Sequence, residues 1–185
     1  MLKDIERSAQ EKMQHSIEAL KKELGTIRTG RATPALLDGV NVEYYGAATP
    51  VTQVASVSIP ESRSIVIQPW DPTIMGDIEK AILRANLGLT PTNDGNLIRL
   101  VIPQLNEDRR KELVKVVHKK VEEARIAVRN VRRDSLDHLR KLQHDKQITD
   151  DDERRAQERL QKITDKYVAE VDKHGHAKEQ ELLEV

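Results

Sequence analysis

Apolar residues at Leu2, Ile5, Ala9, Met13, Ile17, Leu20, Leu24 and Ile27 recur in steps of three and four. That spacing predicts an amphipathic helix with one buried face, and Gly30 and Pro34 are expected to stop it. A second stripe, Leu113, Val117, Val121, Ala124, Val128, Val131, Leu139 and Leu142, predicts a helix from about Glu107 to Asp145. Asn106 suits its N-cap, and Glu107 and Asp108 suit the positive end of its dipole. At 1.5 Å per residue this helix would be nearly ~60 Å long. A third stripe, Ala156, Leu160, Ile163, Tyr167, Val171 and Leu182, follows Thr149. Asp152 stands where a capping-box partner of Thr149 belongs, and Asp150, Asp151 and Glu153 crowd the same turn. Narrow stripes on such long helices are buried by antiparallel packing in a three-helix bundle. The first helix must therefore pack against the other two across everything between them in sequence.

That insert has a different grain. β-Branched residues alternate in Val40–Tyr45, Val51–Ile59 and Ser64–Trp70, with Gly46, Pro50, Pro60 and Pro69 as punctuation, and Leu97–Pro103 reads as a last strand. Between the last two of these segments, Asp71 as N-cap and Pro72 at the first position start a short helix with Ile74, Ile78, Ile82 and Ala85 on one face. An Asp94-Gly95 turn precedes the final strand. The fold class expected is α+β: a sequence-discontinuous bundle over 1–30 and 105–185, and a small β/α/β domain inserted at 31–104. Two connections, Gly30-Arg31 and Pro103-Gln104-Leu105, join them and have the character of a hinge.

Composition narrows the function. The chain has no Cys and no Phe, three Tyr and one Trp. Disulfides, thiolate catalysis and Cys-ligated metals are excluded, and a reducing compartment is expected. The N-terminus carries acids and no apolar signal region, and no run approaches a membrane span. A cytoplasmic protein without a membrane role is expected. Lys and Arg balance Asp and Glu to a net charge of zero, yet charged residues make up 34% of the chain. Charge acts locally, so layout matters more than the sum.

Catalytic patterns are missing. No phosphate-cradling Gly-rich loop occurs, and the serines form no nucleophile elbow. His15, His118, His138, His144, His174 and His176 fall inside helical segments with no HExxH spacing. His174 and His176 stand about 200° apart on a helix and cannot share a metal. No enzyme, metal, cofactor or small-molecule substrate is expected.

The positive signal is ARIAVRNVRRDS. Arg125, Arg129, Arg132 and Arg133 fall in nine residues with no acid among them. At 100° per residue they share one face about 100° wide, beside the apolar stripe. Like charges at this spacing repel, so a helix built for stability alone would interleave acids. Guanidinium forks match phosphate oxygens in pairs. Arg28 and Arg31 would join the patch in an antiparallel bundle, and Arg110 begins the second helix near the hinge end. A competing reading is a solvated face paired with the third helix, whose acids outnumber its bases. Without aromatic RNA-binding motifs, docking by shape and phosphate is the form RNA binding would take. A coiled-coil scaffold that binds only protein, or a hydrolase hidden in the insert, are the other classes left open.

The segments IRTGRATPALLDG, VEYYG, QPWD, LGLTPTNDGNLIRL and ARIAVRNVRRD resemble ribosome recycling factors, and the likeness runs through essentially the whole chain. The resemblance implies a three-helix rod with an inserted β/α/β domain, together L-shaped and close to a transfer RNA in outline. It implies a monomeric, non-enzymatic factor that binds the post-termination ribosome with its rod on large-subunit ribosomal RNA. Elongation factor G, with GTP, would then swing the second domain, part the subunits and release messenger and transfer RNA. By position, Arg129 and Arg132 would hold RNA phosphates, with Arg133, Arg28 and Arg31 beside them and Arg110 as a further candidate. One departure lies in the hinge: Gln104 stands where the family usually has a second proline, which frees one φ angle.

Overall fold

The computed structural model describes residues 1–184. Its helices are α1 (Leu2–Gly25), α2 (Met75–Arg84), α3 (Glu107–His144) and α4 (Asp150–Leu183). Its strands are β1 (Asn41–Tyr44), β2 (Ala47–Pro50), β3 (Ala55–Glu61), β4 (Ser64–Pro69), β5 (Thr92–Asn93) and β6 (Ile98–Val101). They form an α+β fold in two compact units, one of Met1–Thr29 with the chain from Glu107 onward, the other Gly30–Asn106. Compared with the division read from the sequence, the smaller unit begins one residue earlier and ends two later. Local packing accounts for this: a Cβ on Gly30 would sit 3.4 Å from Leu105 Cγ, so the two ends of the unit lie side by side. Ala32 N–H donates to Ser62 O at 2.7 Å and Ile102 N–H to Arg63 O at 2.8 Å, which ties both ends to the β3–β4 turn.

In the larger unit the three long helices pack along one apolar seam. Ile5 and Ala9 at the start of α1 cluster with Leu139 and Leu142 at the end of α3 and with Ala156 and Leu160 at the start of α4. Hence α1 runs antiparallel to α3 and parallel to α4. The stripes are buried nearly as spaced; Leu2 and Val131 are only half-buried, and α4 departs at two further places. Ile163 is only half-buried, and Thr164 takes the interior place, its hydroxyl donating to Leu160 O at 2.8 Å. Gly175 is buried too: a Cβ there would lie 2.3 Å from Val121 Cγ2, so the absent side chain lets α4 approach α3 closely. Thr149 and Asp152 form the reciprocal capping box expected of them. By contrast α1 stops at Gly25, short of Gly30. Thr26 hydroxyl and N–H both turn back on Glu23 O, and Ile27 N–H bonds Leu24 O, so the last turn tightens and ends.

In the smaller unit β1 and β2 form a hairpin, and β3-β4-β6-β5 form an antiparallel sheet. Ile65, Ile67, Ile98 and Leu100 alternate inward from β4 and β6 and pack with Ile78 and Ile82 of α2. The Asp71 carboxylate accepts from Thr73 N–H and hydroxyl and caps a 3-10 turn, Pro72–Ile74, that leads into α2. Ala85, expected on the apolar face, is exposed just past the helix, and Met75 is buried in its stead. Val51–Gln53, read as strand, winds as a 3-10 turn before β3. The Tyr45-Gly46 turn, with φ of +50° and +78°, joins β1 to β2, a strand not recognised in the sequence.

Candidate nucleic-acid interface

The four arginines of α3 share a helix face but not an environment. Arg125 is held by two acids: its Nε donates to Asp172 of α4 at 2.7 Å and its Nη1 meets Glu122 at 3.1 Å. Its Nη2 also contacts Asp172. Hydrogen bonds to Asp172, then to Glu122, raise its pKa above the ordinary guanidinium value. Arg125, expected from the sequence among the RNA-binding arginines, thus already has two carboxylates beside it. It is the one member of the run for which the competing reading, pairing with the acidic third helix, holds.

Arg132 is half-buried against α4, and its partner is an amide: Nη1 donates to Gln161 Oε1 at 2.7 Å. Its Nε–H is buried without an acceptor among the described residues. Arg129 and Arg133 are exposed and form no hydrogen bond or ion pair among the described residues. Three of the four therefore keep an unbalanced positive charge, on a helix packed along the bundle's apolar seam.

Arg28 and Arg110 lie elsewhere on the bundle. Antiparallel packing brings the end of α1 beside the first half of α3, where Lys120 meets Glu23 at 3.7 Å. Arg28 follows that end of α1, and Arg110 lies in the first turn or so of α3, so both belong to one end of the bundle. At 1.5 Å per residue, Arg110 is ~28 Å along the axis from Arg129. Arg31 belongs to the smaller unit. Within the bundle, the basic residues therefore lie on an α3 face and at one end.

Among the described residues no group of three His, Asp or Glu is placed to hold a metal, and no helix is long and apolar enough to cross a membrane. An open cleft beside α2 is lined by Asn41, Glu43, Asp77, Lys80 and Arg84, charges of both signs with no hydroxyl nucleophile. Gln161 and Gly175 are the residues of this region that sequence reading missed. A lone glycine inside a helical stripe signals close approach and could have been found; Gln161 carries no such signal.

Comparison with known proteins agrees with this architecture. The family model described as ribosome recycling factor matches residues 20–183. The ribosome-recycling factors of Carboxydothermus hydrogenoformans and Bacillus subtilis are each 56% identical over 185 residues, covering all of both chains. A solution structure of the ribosome recycling factor matches with a TM-score of 0.80 at 46% identity, covering 100% of this chain and 98% of that one. A second structure sets the T. thermophilus ribosome recycling factor and E. coli elongation factor G on the E. coli post-termination complex; it matches with a TM-score of 0.66 at 45% identity, covering 99% of each chain. With its helical bundle interrupted by a small α+β unit and its likeness extending over the full length, the chain belongs to the ribosome recycling factor family, a family of non-enzymatic translation factors.

Proposed function

We propose that this protein recycles ribosomes after termination by laying the α3 face of its bundle on large-subunit ribosomal RNA. The observation that carries the reading is 56% identity over the full length to a ribosome-recycling factor, with a relative described together with elongation factor G as bound to a post-termination complex. The physical cause we assign to docking is the uncompensated charge of Arg129, Arg132 and Arg133. Arg28, Arg31 and Arg110 are auxiliary RNA-facing residues; Arg125 is left out because it is balanced within the bundle.

Elongation factor G supplies the nucleotide energy through its own GTP, so the factor needs no active site. It binds as a cytoplasmic monomer and transmits a push. Gly30-Arg31 and Pro103-Gln104-Leu105 form the hinge about which the inserted unit swings, and the swing parts the subunits and frees messenger and transfer RNA. The hinge reading is supported by the chain passing just twice between compact units, with Gly30 and Leu105 adjacent at the ends of one of them. Polysome breakdown with elongation factor G, GTP and this protein, each omitted in turn, tests the function. Breakdown should require all three together; equal breakdown without this protein would refute it.

A further inference from the structure

The seam between α3 and α4 treats two arginines seven residues apart in different ways. Arg125 and Arg132 occupy nearly the same rotational position two turns apart. Opposite Arg125, α4 presents the Asp172 carboxylate; opposite Arg132 it presents the Gln161 amide. That amide is fixed at both ends, since Gln161 Nε2 donates to Asp165 Oδ1 at 2.8 Å. With its NH2 group engaged by the acid, the amide oxygen is turned toward the guanidinium. Asp165 orients the acceptor for Arg132 without pairing with it.

The two partners differ in consequence. A carboxylate both aims a guanidinium and cancels its charge; a neutral amide aims it and leaves the charge available to a phosphate. An arginine free in solvent would keep its charge but lose side-chain entropy on docking. We propose that Gln161 is a positioning residue that holds Arg132 in a phosphate-ready orientation while preserving its charge. This rests on the reading of Arg132 as an RNA contact and assigns the α4 residue on which that contact depends.

The test is affinity for purified large ribosomal subunits across a salt series, with thermal unfolding followed in parallel, for the full chain, Arg132→Ala, Gln161→Glu and Gln161→Ala. Gln161→Glu keeps an acceptor oxygen in place but adds a charge. It should lower the salt slope by roughly one unit, as Arg132→Ala does. Gln161→Ala should weaken binding several-fold with the slope retained. Gln161→Glu with Asp165→Asn removes the like charge created one turn away, so a folding defect cannot stand in for charge loss. A residue of purely structural role would instead lower the unfolding temperature and leave every slope alone, which overturns the proposal. If Arg132→Ala lowers the slope and both Gln161→Glu proteins leave it unchanged, the positioning role is refuted while the RNA contact stands. If Arg132→Ala itself leaves the slope unchanged, the RNA contact fails and the positioning role fails with it.

Discussion

A guanidinium's value as a phosphate ligand depends on what already faces it. Arg125 faces Asp172 and Glu122, while Arg129 and Arg133 face solvent from the same helix. Exposed ion pairs contribute little, so Arg125→Ala should cost under about 1 kcal/mol in a denaturant titration. It should also leave the salt dependence of subunit binding intact, and a lowered slope would show that Arg125 does reach RNA. A second residue-scale expectation concerns Gly175. A methyl there collides with Val121, whose short branched side chain has little room to yield. Gly175→Ala should destabilise the bundle by about 1–3 kcal/mol despite the better helix propensity of alanine. Adding Val121→Ala should recover part of the loss; a double variant no more stable than Gly175→Ala alone would mean that the contact is not what matters. The arginine run was legible in the sequence because it needs only the helical period. The fates of its members were not, since Asp172 and Gln161 reach α3 through a register that tertiary packing sets.

At the scale of elements, long periodic stripes specified α1, α3 and α4, while ends and short strands were harder to see. β5 is too brief to alternate, β2 (Ala-Ala-Thr-Pro) buries no apolar side chain, and α1 ended early because Thr26 competes for the carbonyl of Glu23. The start of α4 was readable because a capping box is a local pattern. Its acid titrates with a consequence. Hydrogen bonds from Thr149, backbone first and then side chain, hold the Asp152 carboxyl below its ordinary value. A group whose pKa is depressed by folding adds stability above its unfolded value and loses it as pH falls through the folded one. Asp152→Ala should therefore unfold more easily than the parent at neutral pH, with the gap narrowing once the pH drops below about 4. A gap unchanged by acid would exclude the charged cap as its source. Thr149→Ala should cost about 1 kcal/mol through the same turn.

For the whole molecule, the proposed docking depends on a zero-net-charge chain that concentrates unbalanced positive charge on one stretch of its bundle. The chain contains no cysteine, so a pair introduced across the two units would form a single defined crosslink. Locked in this way, the protein should still bind ribosomes yet fail to split them; undiminished splitting in a light-scattering assay would remove the swing from the mechanism. The most direct measurement is the salt dependence of large-subunit affinity for the parent and for Arg129→Ala/Arg133→Ala, with helicity checked by circular dichroism. Removing two phosphate contacts should flatten the slope by nearly two units and weaken binding at low salt by more than tenfold. An unchanged slope in a folded double variant would contradict docking through the α3 face.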